Sequence, residues 1–149
     1  MTYLLDNNVV SYFLHCRREA ALMDAAGRGS LAIADEVSKE LKRSRSDGER
    51  FSAWFAGGKI ASLAIEVGSE ADATFQALTP PTAGRGQGER ASIALAAHDP
   101  SLVLVANDRN AMWLALAELH HAGERMIGVP CSCGDFTSKP GCLRQRSMP

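Results

Sequence analysis

Residues 102–108 read Leu-Val-Leu-Val-Ala-Asn-Asp, an unbroken apolar run that ends on two polar side chains. A run of this length, half of it valine or leucine and with no charge inside, reads as a strand buried on both faces. Tyr3-Leu4-Leu5, halting at Asp6, and Leu31-Ala32-Ile33-Ala34 have the same form, and residues 126–129 make a last short strand. Helical patterns fill the intervals: 7–14, 17–28 closed by glycine, 35–44 with Asp35 as its cap, 51–55 ended by Gly57-Gly58, 70–78, an alanine-rich stretch over 89–98, and 107–122. Residues 60–67 suit a strand or a helix, and residues 79–88, rich in Pro and Gly, form a loop. Strands alternating with helices predict an α/β fold, a mostly parallel sheet of four to five strands with helices on both faces. Ligands of such sheets gather outside the carboxyl ends of the strands. That rule selects Asp6, at the end of the first strand, and Asp108, just past the LVLVA strand.

The 149 residues suit one domain with a sizeable core. A formal net charge of -1 means that any nucleic-acid footprint has to be local. No apolar run approaches the roughly 20 residues of a membrane span. The first residues, with Asp6 among them, lack the basic and apolar regions of a signal peptide, so a cytoplasmic location and no membrane association are expected. Cys16, Cys131, Cys133 and Cys142 are too few and too unevenly placed for a secreted disulfide scaffold, and their spacing is poor for zinc.

Four acidic segments follow in order: YLLDNNVV with Asp6, VSKELKR with Glu40, GQGERASIALA with Glu89, and LVANDRNA with Asp108. This ordered set resembles the PIN-domain ribonucleases, including the VapC-like toxins of type II toxin–antitoxin modules, over about residues 3–129. The resemblance implies a three-layer α/β/α PIN-like fold, with a nuclease domain over residues 1–130 and an irregular basic tail over 131–149. It makes Asp6, Glu40, Glu89 and Asp108 the catalytic, metal-holding carboxylates, with Asn8 steadying the loop beside Asp6 and Asn107 and Arg109 flanking Asp108. Two positions depart from the family pattern. Asn7 stands where the family has Thr after its first Asp, and Ala106 stands where it has Thr before its last, which removes a hydroxyl.

Carboxylates suit the implied chemistry because Mg2+ and Mn2+ are hard cations that prefer oxygen ligands. Cleaving a phosphodiester gathers negative charge on phosphorus oxygens, and a cation held by acids neutralises it and activates water. Without a cation the acids repel, and at least one should have a raised pKa. Asp6 and Asp108 also have a plain alternative as helix caps, and Glu89 as an acid favoured at a helix N-terminus. Glu36 competes with Glu40 on the same helix. With Val37 and Leu41 defining the buried stripe, Glu40 lies roughly 80° from its middle and Glu36 roughly 120°, which favours Glu40.

Lys39, Lys42, Arg43, Arg45 and Arg50 cluster on and after the Glu40 helix, and Arg85 and Arg90 flank Glu89. They read as a solvated surface or as an edge that tracks RNA phosphates; Lys39, Lys42, Arg43, Arg85 and Arg90 are the RNA-binding candidates. Gly84, Gly86 and Gly88 let the chain turn sharply before Glu89. The leading expectation is an endoribonuclease using Mg2+ or Mn2+ on RNA, with a small antitoxin and a homodimer as the partners the resemblance implies. The alternatives are a PIN nuclease of RNA processing and a catalytically degenerate RNA- or protein-binding module.

Overall fold

The computed structural model describes residues 1–27, 29–79, 86–108, 114, 115, 117–119 and 122–128. Its five strands are β1 (Thr2–Leu5), β2 (Ser30–Ala34), β3 (Ile60–Leu63), β4 (Leu102–Ala106) and β5 (Met126–Gly128). They form one sheet in the order β3-β2-β1-β4-β5, and every pairing is parallel. The segment at 60–67 that suited either state is therefore an edge strand over its first half. β1 sits at the centre, with Leu4 opposite Ala32 on one side and Leu104 on the other.

The helices are α1 (Asn7–His15), α2 (Glu19–Ala26), α3 (Asp35–Arg43), α4 (Gly48–Ala56), α5 (Glu70–Leu78), α6 (Gln87–His98) and the single turn α7 (Ala122–Arg125). Side chains alternate along a strand, so each strand feeds two layers. Leu5, Leu31, Ile33 and Val105 join Val9, Val10, Phe13, Leu22, Val37 and Phe51 in one apolar cluster. Leu4, Ala32, Leu102, Leu104 and Ala106 join Ile93, Ala96, Ala115 and Leu119 in the other. Helices thus cover both faces of the sheet, giving the expected three-layer α/β/α architecture. Among the described residues no helix is long and apolar enough to cross a membrane.

Several boundaries differ from the sequence pattern for local reasons. α4 begins at Gly48, because Asp47 and Gly48 turn the chain early and seat Phe51 fully in the core. Asp35 does not cap α3; it is the first helical residue, and its carboxylate accepts a hydrogen bond from Ser62 on the neighbouring strand β3. α6 begins at Gln87, two residues before Glu89, behind Gly86 at φ +75°, a left-handed conformation that glycine adopts without strain. Asn107 and Asp108 lie outside any helix, so the helix expected from 107 starts later; the described part of it is helical at Leu114, Ala115 and residues 117–118. The basic, cysteine-bearing tail at 131–149 and most of the loop at 79–88 lie outside the described residues.

Candidate metal centre

The strand order fixes where a site can form. From β1 the chain moves outward to β2 and β3, then crosses back to place β4 on the opposite side of β1. The crevice above β1 and β4 is the topological switch point, where α/β sheets bind ligands. Asp6 ends β1 there, its N–H donating to the Val105 carbonyl at 3.0 Å, and Asp108 lies two residues beyond β4.

Asp6 is 2% exposed. It occupies the cap position of α1, and its main-chain carbonyl receives the N–H groups of Val9 and Val10, yet its carboxylate makes no capping hydrogen bond. Its Oδ2 is buried with no partner at all. Burial pushes the Asp6 carboxyl up to about 6, with the Asn7 and Asn8 amides pulling the other way and the negative charges of Glu40 and Asp108 adding to the rise. The two main-chain amides at the start of α1 thus favour the ionised carboxyl, as at a helix cap, but burial outweighs them.

Glu40 comes in from α3 and is held at both oxygens. The Asn7 side-chain amide donates to Oε2 at 2.8 Å, and the Gly88 backbone N–H donates to Oε1 at 3.0 Å. Ser11 in turn donates to Asn7 Oδ1 at 3.2 Å, so α1, α3 and α6 are tied through one carboxylate. Gly88 permits this closeness: a Cβ there would lie 2.8 Å from Val37 Cγ2 and 3.0 Å from Glu40 Oε2. Glu89 follows on the first turn of α6. Partial burial raises its carboxyl first, then the charges of Asp6 and Asp108, with Arg90 opposing and Glu40 reinforcing.

All four expected acids thus act on one another electrostatically. Glu36, the competitor of Glu40, does not take part: its Oε1 receives Lys39 at 3.0 Å and its Oε2 is buried without a partner. Yet among the described residues no three His, Cys, Asp or Glu side chains already stand in an arrangement that could hold a metal ion. Glu40 is turned toward Asn7 and Gly88. The donor set nonetheless fits a hard cation, since every member offers oxygen and one buried oxygen of Asp6 has nothing bonded to it.

Asn8 and Asn107 line an open groove beside Asp108. Arg109 and Arg85 lie outside the described residues. Of the other basic candidates, Lys39 is paired with Glu36, Lys42 sits over the Phe55 ring at 5.1 Å, Arg43 is exposed, and Arg90 is half-buried beside Gly86. Arg50 is bound by Glu19, so it belongs to the α2–α4 contact. Ala106 is fully buried in the second apolar cluster, where methyl-sized packing accounts for it. The sequence pattern missed the roles of Asn7 and Gly88. Their signal was present, in a polar residue directly after Asp6 and a glycine directly before Glu89, but only the crossing of α3 and α6 gives it meaning.

The strand order and helix layers define the architecture, a parallel three-layer α/β/α domain with Asp6 and Asp108 near the switch point of the sheet. A chain of the VapBC2 complex from Rickettsia felis, whose crystal structure holds that complex bound to a DNA fragment from its promoter, has a similar fold, with a TM-score of 0.56 and 16% sequence identity over 80% of this chain and 96% of that one. No family model matches the sequence, and no curated protein matches it significantly. The likeness is one of architecture.

Proposed function

We propose that this protein is a metal-dependent endoribonuclease, with Asp6, Glu40, Glu89 and Asp108 holding Mg2+ or Mn2+ at the carboxyl end of β1 and β4. The observation that carries the reading is the Asp6 carboxylate: buried, lacking a partner at Oδ2, and facing the charges of Glu40 and Asp108. A fold retains such an unfavourable group when something cationic compensates it. A bound divalent cation would supply charge neutralisation at the scissile phosphate and an activated water. The chain's own part is to hold its acids ready. Asn7 and Gly88 fix Glu40, the strand end fixes Asp6, and the first turn of α6 carries Glu89.

The likeness to a chain of a VapBC2 complex supports a toxin role with an antitoxin partner as the finer reading; a homodimer is the assembly the proposal adds. A PIN nuclease of RNA processing would use the same centre. The deciding experiment is cleavage of RNA with Mg2+ or Mn2+ by wild type and Asp6→Asn. Cleavage that needs metal and is lost in the variant is expected; equal activity in the two refutes the reading.

A second reading, a degenerate PIN-like module that binds RNA or protein without cutting it, draws on the lack of a ready three-ligand arrangement among the described residues and on the hydrogen bonding of both Glu40 oxygens. Calorimetric titration with Mn2+ separates the two. A competent centre binds Mn2+ and loses that binding in Asp108→Asn, whereas a degenerate one gives no heat.

A further inference from the structure

α1 has two faces. Val9, Val10, Phe13 and Leu14 are buried, while Asn8, Ser11, Tyr12 and His15 follow one another at the spacing of a single helical stripe. That stripe lines an open groove of about 670 Å³ together with Asp47, Asn107 and Asp108. The volume lies within the roughly 300–1,000 Å³ of clefts that take small molecules.

Asp47 is an unusual group for such a groove. It holds the cap position of α4, but its carboxylate makes no capping hydrogen bond. Instead Oδ2 accepts from Ser46 at 3.0 Å and Ser44 at 3.4 Å, and Oδ1 faces His15 Nδ1 at 3.1 Å. The side chain of Asp47 is 10% exposed and that of His15 is 66% exposed. The carboxylate is therefore clamped by serines on its inner oxygen, while its outer oxygen meets a solvent-facing ring. Tyr12 is fixed as well. It packs on the core and meets the Phe13 ring edge-on, with centroids 5.7 Å apart and planes at 88°.

Among the described residues, the lining of the groove includes two carboxylates, one imidazole and no Lys or Arg. A phosphate backbone would be repelled there, whereas a neutral base would not. An unpaired base needs an aromatic platform and hydrogen-bonding groups for its edge. A carboxylate accepts only, so an exocyclic amino group suits it better than the uracil edge, whose one N–H is flanked by two carbonyls that repel it.

We propose that this groove is a base pocket for the strand whose phosphodiester lies at the acidic centre: it takes one unpaired nucleobase bearing an amino group, stacked on Tyr12 and read by Asp47. The proposal deepens the ribonuclease reading and rests on it for the path of the strand. It makes the protein selective for cytosine, adenine or guanine over uracil at the position beside the cut.

The test is binding without cleavage. Fluorescein-labelled single-stranded octamers of C, A and U are titrated by anisotropy into the Asp6→Asn protein in calcium buffer. The C and A octamers should bind at least about tenfold more tightly than U, the worth of one hydrogen bond to a charged acceptor. Asp47→Asn should bring the three within about twofold, because the amide also donates to uracil. Tyr12→Ala should weaken all of them about tenfold, and Tyr12→Phe should restore them. Equal affinity for the three octamers, or no binding of any, overturns the pocket even if Asp47→Asn fails to fold. So does a folded Asp47→Asn protein that keeps the preference, or a Tyr12→Ala protein that binds as before. The two readings fail separately, since cleavage by wild type judges the acidic centre and the ratio of affinities judges the groove.

Discussion

Replacing Asp6 by Asn should make the metal-free protein more stable at neutral pH while abolishing its activity. The Asp6 carboxyl is raised from 3.8 to about 6 in the folded chain, chiefly by burial. The folded state therefore binds a proton more tightly than the unfolded one, and stability falls as pH rises from about 4 to 6. Above that window the ionised carboxylate costs roughly 3 kcal/mol, from about two pH units at 1.36 kcal/mol each. Below pH 4 both states are protonated and the cost vanishes. Asparagine carries no charge, but it places an amide where Oδ2 now lacks a partner, which returns about 1–2 kcal/mol of the gain. A net stabilisation of about 1–2 kcal/mol remains, or a rise of roughly 3–8 °C in Tm for a domain of this size. Thermal melts of both proteins in EDTA from pH 4 to 8 measure it, and the difference should open between pH 4 and 6. Adding Mn2+ should then raise the wild type alone, by about 2.7 kcal/mol at a hundredfold excess over Kd. A wild type as stable as the variant at pH 8, or a difference that does not change with pH, would refute the argument that Asp6 is a buried charge awaiting a cation.

Two further substitutions probe the way Glu40 is held. Gly88→Ala puts a methyl group 2.8 Å from Val37 Cγ2 and 3.0 Å from Glu40 Oε2, forcing α3 and α6 apart. Urea denaturation should show a loss of about 1–3 kcal/mol, and an unchanged midpoint would mean that the crossing has slack. Asn7→Ala removes the donor to Glu40 Oε2 and leaves Ser11 without its acceptor. Mn2+ affinity measured by calorimetry should fall about tenfold, the usual effect of losing a residue that orients a ligand. Unaltered Mn2+ binding in Asn7→Ala would show that Glu40 is not oriented from α1.

The parallel sheet and the two aspartates at its carboxyl edge were legible because both rest on local signals. An apolar run such as LVLVA has only one way to be buried, and a charge that stops it must emerge at the end of the strand. Glu40 was legible through helical geometry, which set it closer than Glu36 to the stripe of Val37 and Leu41. That contest was narrower than the angles suggested, for Glu36 also buries an oxygen and is satisfied by Lys39 on one side only. Where α6 begins was not legible. The decision lies in Gly86 at φ +75° and in how near α6 may approach α3, and both depend on tertiary packing.

The two departures from the family pattern now carry opposite weight, and this bears on whether the centre is competent. Ala106 suggested a lost hydroxyl, but its side chain is buried with Leu104, Ile93 and Ala115 on the apolar side of β4. A hydroxyl there would need a partner that this cluster does not offer, so alanine is the residue the packing asks for. Asn7 suggested a mere conservation of polarity, yet its longer side chain reaches Glu40 Oε2 and couples α1 to α3. The chain thus departs from the pattern at one position where the core decides and at another where the acids themselves are arranged. If the centre were simply decaying, the polar residue next to Asp6 would have no reason to hold a second carboxylate at 2.8 Å. A hydrogen bond that keeps one acid near others that repel it works against the stability of the empty fold. Its retention is intelligible when a cation offsets that repulsion, and Asn7 is then the residue that keeps Glu40 waiting for it.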